Sequence, residues 1–459
     1  MLGLQEPLGK AVLKLVAKKA LSQTFRWFGT YPQYAYLPFR STRDSILRAA
    51  THCSAVRQIL MHQKRSIYVS TISQPKLHCA GGIMLFLDLH RAFDQVPRST
   101  LVTALQRTQL DPRLQSLIIQ WHQQTHYRIE VNNTCRSIPV SRGVRQGCSI
   151  APYLWTAVMA LLIDELQHCI PRAWLLQNLT IFADDITVHC LFQDTLELTQ
   201  ALQYFEHIIA TIERLGLKIS PSKSSVITRG KGAGYEKWKK THTRLDSNKT
   251  HVLVLPNSKM HIPLKKKQLY LGIMLSYDNF ERQTVEVRVQ AGWNNFKRLK
   301  PWLCRKHNIS LRLRLELMRT CIIPTICYGI LYTGLHENGI NLIRQTLHQM
   351  YRRTIGNLPH QTRETHTTVL ARHGVEPPLI TLDKLATQAI SSLTNALTQV
   401  SDDDVIHLTD WKTLHSTRSL LTSRLCHPEH ISESDSASEE FACIYCALLP
   451  PPNLNCRDT

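Results

Sequence analysis

Acidic residues are scarce in this sequence. Its 459 residues carry 34 Asp and Glu against 55 Lys and Arg, a formal net charge of +21. That imbalance argues against a basic partner and for a polyanion, nucleic acid first and an acidic membrane surface second. Long apolar runs are also lacking, because Asp164, Glu165 and Pro324 interrupt the longest ones. None is expected to reach the roughly 20 residues of a spanning helix, which speaks against an integral membrane protein. No signal-peptide pattern opens the chain, and the 13 cysteines are odd in number and scattered. They are expected to be reduced thiols and not a disulfide framework. No repeat of 20 to 50 residues is present, which excludes a solenoid.

What is present is enough to fold. With 43% hydrophobic residues the chain can bury more than one core, and its length calls for two or three subdomains. The segment LGKAVLKLVAKKALSQTFRWF (Leu8 to Phe28) is basic and amphipathic, like a transit peptide, but the residues after it fit a different assignment. GGIMLFLDL (Gly81 to Leu89) reads as a buried strand, and PRSTLVTALQRTQL as a helix with Pro97 near its start. Asn132-Asn133 lies between two strand-like runs and signals a hairpin. APYLWTAVMALLIDELQHCI reads as a buried helix, and Leu198, Leu202, Phe205, Ile209 and Ile212 recur at helical spacing until Gly216. From Arg229 to Lys267 eleven Lys and Arg face two acids, which reads as an exposed basic insertion or loop. From Val285 to Thr320 nine face two, over the apolar stripe Leu311, Leu315, Met318 and Ile322, which reads as a basic helical module. After Val400 the chain turns acidic and Ser-rich.

The chemistry concentrates in TIFADDITVHC (Thr180 to Cys190), where Asp184 and Asp185 sit inside an apolar, strand-like run. Carboxylates are seldom set among buried residues unless something pairs with them. An acidic pair on a tight hairpin, joined by Asp88 at the end of IMLFLDL, can hold two Mg²⁺ ions, which favour oxygen ligands. Two such metals activate a 3′-hydroxyl and stabilise leaving pyrophosphate in polymerases. Alone, an ADD triplet is weak, since Asp-rich turns are common.

Order decides it. LDLHRAFDQV, SRGVRQGCSIAPYLW, FADD, GLKISPSKS and LYLGIMLS follow one another as they do in reverse transcriptases, and the chain resembles in particular those of non-LTR, LINE-type retrotransposons. The resemblance extends upstream through QYAYLPFRSTRDSIL (Gln33 to Leu47) and downstream through LRLRLELMRTCIIPTICYG (Leu311 to Gly329).

The resemblance implies an α/β (α+β) right-hand polymerase. Partial fingers span 1–80, the palm 81–284 with the basic insertion at 229–267, the thumb 285–360, a helical connection 361–400, and an acidic, Cys-containing tail 401–459. It implies Asp88, Asp184 and Asp185 as ligands of two Mg²⁺, with Mn²⁺ as substitute, and Lys223 as proton donor to the leaving pyrophosphate. Phe93 would exclude a 2′-hydroxyl, and Gln146, Gly147 and Arg40 would serve the nucleotide. Leu271 and Gly272 would form the primer grip, and Arg312 and Arg319, seven apart on the thumb, would bind nucleic acid. Asp94 is expected to be structural, as a local cap or hydrogen-bond acceptor near the following helix. The family's usual Asn before the lysine is Ser220 here, and Phe182 stands for a tyrosine common elsewhere. Cys443, Cys446 and Cys456 lack a fourth ligand at suitable spacing, so no stable zinc site is expected. The implied partners are an RNA template, a DNA primer or target DNA, and dNTPs, in the nucleus after synthesis in the cytoplasm. No endonuclease segment is read in the sequence. The competing readings are an inactive element remnant that only binds nucleic acid, and an RNA-templated RNA polymerase.

Overall fold

Eight of the nine residues of β1 (Ala80–Asp88) are buried, so this strand needs cover on both faces. In the computed structural model it lies inside a four-stranded antiparallel sheet of order β4-β5-β1-β6. The other strands are β4 (Leu179–Phe182), β5 (Asp185–Phe192) and β6 (Ser225–Lys231). The structure describes residues 7–62, 77–123, 126–131, 134–145, 147–247, 249–258, 260–304, 309–357, 362–398 and 412–426. The expected tail with Cys443, Cys446 and Cys456 lies outside these residues, as does Gln146.

The chain forms two units. The first comprises Met1–Gln268 with Ser276–Asp278, and so holds the expected fingers together with most of the expected palm. Its helices are α1 (Pro7–Gly29), α2 (Thr42–His62), α3 (Ala92–Gln95), α4 (Arg98–Arg107), α5 (Pro112–Gln123), α6 (Ala151–Leu166), α7 (Arg172–Asn178), α8 (Thr195–Arg214) and α9 (Ala233–His242). One face of β1, Ile83, Leu85 and Leu87, joins the core with Leu154 and Trp155 of α6 and Phe205 and Ile209 of α8. The other face meets α2 at Gly82, where an added Cβ would lie 2.2 Å from a methyl of Val56. The glycine pair read in the sequence therefore lets a helix approach the sheet. The hairpin expected around Asn132-Asn133 is β2 (His126–Val131) paired with β3 (Thr134–Pro139), closing at Val131 opposite Thr134.

The basic insertion is folded and is not a loop. Arg229 to Lys231 belong to β6, paired with β1. Tyr235 and Trp238 of α9 are buried in the main core. Strands β7 (Thr243–Leu245), β8 (His251–Val254) and β9 (His261–Pro263) form a small antiparallel sheet over buried Leu253 and Ile262. The buried carboxylate of Glu206 on α8 fastens it by accepting the backbone N–H and side-chain amide of Asn257, both at 2.6 Å. Counting charges hid this, because the lysines occupy solvent-facing positions between apolar residues that are individually short runs.

The second unit holds Leu269–Leu275 and Asn279–Gln399 with residues beyond Asp410. It begins with the hairpin of β10 (Lys267–Tyr270), which starts in the first unit, and β11 (Ile273–Ser276). Then come α10 (Phe280–Leu303), α11 (Leu311–Leu317), a π-helical turn (Met318–Ile322), α12 (Ile323–Cys327), α13 (Ile330–Thr333) and α14 (Glu337–Ile355). Further helices span His366–Arg372, Pro378–Thr398 and Lys412–Cys426. Contrary to expectation, one stretch, Leu311–Thr333, is long and apolar enough to cross a membrane by length and composition. Pro324 does not interrupt it because it falls in the first turn of α12, where a missing N–H is tolerated. Its Met318, Ile322, Ile326 and Ile330 are core residues of this unit.

Adding a methyl at Gly82 should overpack the contact with α2. Gly82→Ala is expected to lose about 1–3 kcal/mol of stability, read as a lower urea midpoint at unchanged slope. An unshifted midpoint would show that Val56 yields freely.

Candidate active site

Antiparallel register brings the acids together. Asp88, last residue of β1, is the cross-strand partner of Asp185, first residue of β5. Directly opposite residues of such a pair carry neighbouring side chains. Phe182 pairs with Asp185 across β4 and β5, which leaves Ala183 and Asp184 as a two-residue turn. Ala183 takes φ +54, in the left-handed region. Its carbonyl accepts the indole N–H of Trp155 at 2.8 Å.

The three carboxylates act on one another. Asp185 remains open to solvent along one side, yet protein crowding pushes its pKa up to about 6, helped by the charges of Asp184 and Asp88. Among the described residues no three His, Cys, Asp or Glu close into a preformed metal cage. The acids form an open, oxygen-only, like-charged set, which suits a hard divalent cation brought in with substrate and suits zinc poorly.

Lys223 reaches this set, its Nζ 4.0 Å from Asp88 Oδ2. The turn that carries it is tied to the backbone of Asp88. Ser220 N–H donates to Asp88 O at 2.8 Å, Asp88 N–H donates to Ser224 Oγ at 3.1 Å, and Ser224 Oγ–H donates to Ser220 O at 2.8 Å. Backbone groups of Ser220 do this, so the turn forms without the family's Asn side chain.

Phe93 is half-buried on α3 and stacks on Trp155, centroids 4.7 Å apart and planes at 24°. Val144 N–H donates to Phe93 O at 2.6 Å and Gly143 N–H to Val96 O at 2.8 Å, which lashes the segment before Gly147 to α3. Gly143 has φ +81, and a Cβ there would lie 2.6 Å from Asp94 O. Gly147, exposed, has φ +85. Asp94 lies within α3, and the N-cap position of α4 is Pro97.

Other expected residues lie elsewhere. Arg40 donates to the backbone carbonyls of Gly29, Tyr31 and Gln33, so its guanidinium holds the α1–α2 connection instead of facing a triphosphate. Leu271 (φ +44) and Gly272 (φ +80) form the turn between β10 and β11, in the second unit. Gly272 packs against the ring of Tyr328, over which the Arg288 guanidinium lies at 5.0 Å. Arg312 is exposed on α11, but Arg319 lies in the π turn and pairs with Glu316 at 3.1 Å. The π turn breaks the 3.6-residue repeat, so ideal spacing does not place the two arginines on one face.

Sequence reasoning missed two residues. Trp155 was read as the end of SRGVRQGCSIAPYLW and as part of a buried helix, with no role of its own in the site. Tyr36 is the other: it lies close enough to the acid-bearing turn to feel the charge of Asp184. Burial, and then the charge of Asp184, raises its phenol pKa. Its φ of +64 was a signal only the backbone could give.

The family described as reverse transcriptase (RNA-dependent DNA polymerase) matches residues 1–275. A stretch of 164 residues, 35% of the chain, is 28% identical to the retrovirus-related Pol polyprotein from type-1 retrotransposable element R2 of Nasonia vitripennis. That stretch spans 16% of the polyprotein's length. Among solved structures, apo telomerase from Candida tropicalis aligns over 95% of this chain and 60% of its own, at 9% identity and TM-score 0.35. Telomerase from Candida albicans with a telomeric RNA fragment aligns over 97% and 59%, at 11% identity and TM-score 0.37. At those scores the two structures carry no argument. The family match spans more than half of the sequence and includes every acid of the candidate site, and with the R2 likeness it establishes that the chain belongs to the reverse transcriptase family, of the non-LTR type.

Proposed function

We propose that the chain is an RNA-directed DNA polymerase of a LINE-type retrotransposon, adding dNTPs to a DNA primer on an RNA template. The observation that carries this reading is the meeting of Asp88, Asp184 and Asp185 at one end of a buried sheet, with Lys223 beside them, inside the span matched by the family. Two Mg²⁺ or Mn²⁺ ions held by these carboxylates would supply Lewis acidity for nucleotidyl transfer.

The chain's own residues have distinct parts in this proposal. Asp88 and Asp185 are fixed by strand pairing, so little reorganisation accompanies reaction. Lys223 is largely exposed and free to turn from Asp88 toward the pyrophosphate, to which it donates a proton. Phe93, braced by Trp155, presents ring edge or face to the sugar and disfavours a 2′-hydroxyl. Gly147, with its positive φ, lets the backbone approach the nucleotide. The Leu271-Gly272 turn holds the primer end, and exposed thumb arginines bind the duplex. The net charge of +21 suits a nucleic-acid partner, and extension from a target-DNA primer would put the site of action in the nucleus.

Asp184→Asn removes a charge from the acid set and touches no basic residue. Extension should fall by about 10²–10³-fold while primer-template affinity stays within about twofold, by primer extension and fluorescence anisotropy. Equal losses in both would refute this division of labour and favour a remnant that only binds nucleic acid.

Phe93→Val should lower the ratio of dNTP to NTP efficiency by about tenfold or more, as steric exclusion of one group is worth about 1–3 kcal/mol. An unchanged ratio would return Phe93 to the core, and an inverted ratio in the wild type would indicate an RNA polymerase.

Neutralising Arg312 and Arg319 together should flatten the salt dependence of binding by about one unit of slope, below the two of unpaired phosphate contacts, because Glu316 already offsets Arg319.

A further inference from the structure

We propose that Trp155 is a positioning residue of the active site, whose indole N–H fixes the turn bearing Asp184 and Asp185 while its ring face supports Phe93. The proposal rests on the polymerase reading and goes beyond it by naming what holds two functional parts in register.

Trp155 is 1% exposed, so its N–H cannot be satisfied by bulk water. It donates at 2.8 Å to Ala183 O, inside the acid-bearing turn itself. In a two-residue hairpin the carbonyl of the first loop residue points away from the ladder and takes no partner from the strands. Here it receives a donor from a helix of the core. Ala183 also occupies the left-handed region, about 1–2 kcal/mol unfavourable for a residue with a Cβ. A conformation of that kind persists only where its surroundings determine it, and the indole bond is a direct determinant.

The second contact is independent of the first. The Phe93 ring stacks on Trp155 at 4.7 Å and 24°. Phe93 and Ala183 come from α3 and from the β4–β5 turn, ninety residues apart in sequence, and one side chain touches both. A phenylalanine at 155 would keep the ring contact and lose the donor. That separates the two effects.

The test uses three variants of the full chain: Trp155→Phe, Trp155→Leu, and replacement of Trp155 by benzothienylalanine, which keeps the shape of the indole with sulfur in place of N–H. For the Phe and benzothienyl forms, kcat for dNTP addition should fall about tenfold with KM changed less than about twofold, as expected for one lost buried hydrogen bond. Mn²⁺ binding followed by electron paramagnetic resonance, without nucleotide, should weaken in the same two forms. Their dNTP to NTP ratio should stay at the wild-type value, and only Trp155→Leu should lower it. The benzothienyl form guards against misfolding, since its packing is unchanged. Wild-type kcat and Mn²⁺ affinity in that form would overturn the proposal. So would a loss of Mn²⁺ affinity that merely tracks the urea midpoint across the three variants. If the wild type itself extends no primer, the polymerase reading fails, and the Mn²⁺ measurement still decides whether the indole bond sets the acids.

Discussion

Three like-charged carboxylates must be kept close together, and the rest of the first unit is arranged around that demand. Two unit charges about 4 Å apart repel by about 1 kcal/mol in water and several times that near protein. The acids would drift apart on a loop. Here two of them terminate neighbouring strands whose pairing continues through eight successive residue pairs, from Gly81 opposite Phe192 to Asp88 opposite Asp185. β1 is buried on both faces, so it cannot slide without exposing a row of core residues. At its end the backbone N–H and C=O of Asp88 are both taken up by the Ser220–Ser224 turn, and the same turn delivers the ammonium that partly offsets the charge. Burial first, and then the charges of Asp184 and Asp88, raise the pKa of Asp185, so its ionised form gains from any cation brought to the set.

Parts of this were legible in the sequence because they follow from period and order. The apolar run ending at Asp88, the ADD turn between strand-like flanks and the helix from Leu198 to Ile212 are local patterns, and the structure has the corresponding elements. What escaped depends on where a side chain's polar end goes. Arg40 looked available for phosphate, yet three backbone carbonyls occupy its guanidinium. Nothing in the sequence separates Tyr36 from Tyr34, but Tyr34 is buried while Tyr36 is exposed and feels the charge of Asp184. The segment after Arg229 was misread because eleven basic residues outweighed the short apolar runs that fold it.

The same limit applies to net charge. Arg48 donates to Leu176, Gln177 and Leu179 carbonyls and to Thr180, Arg314 to the carbonyls of Leu303 and Thr354, and Arg352 to those of Asn357 and Glu364. All three are buried. They satisfy carbonyls at the ends of helices and loops, the groups that otherwise lack partners. Such arginines fasten each unit internally and contribute little to a phosphate-binding surface. The +21 of the sequence therefore overstates the charge available to nucleic acid, and the basic residues that remain exposed, Arg312 among them, are the ones a salt-dependence measurement would count.

Left-handed backbone marks the two hairpin turns for which a role in the reaction is proposed, and in each a different support holds it. Ala183 precedes Asp184 and Asp185 and is held through its carbonyl by Trp155. Leu271 precedes Gly272, and that pair of positive φ values is what a tight two-residue hairpin with twisted strands requires. Gly272 lies against Tyr328, itself covered by Arg288, so the turn is backed by packing and not by a side-chain donor. The difference follows from what each turn presents. The first carries side-chain carboxylates, whose direction changes with any rotation of the turn, so it needs a directional bond. In the primer-gripping role proposed for it, the second would present backbone to a polymer end, for which a firm surface is sufficient.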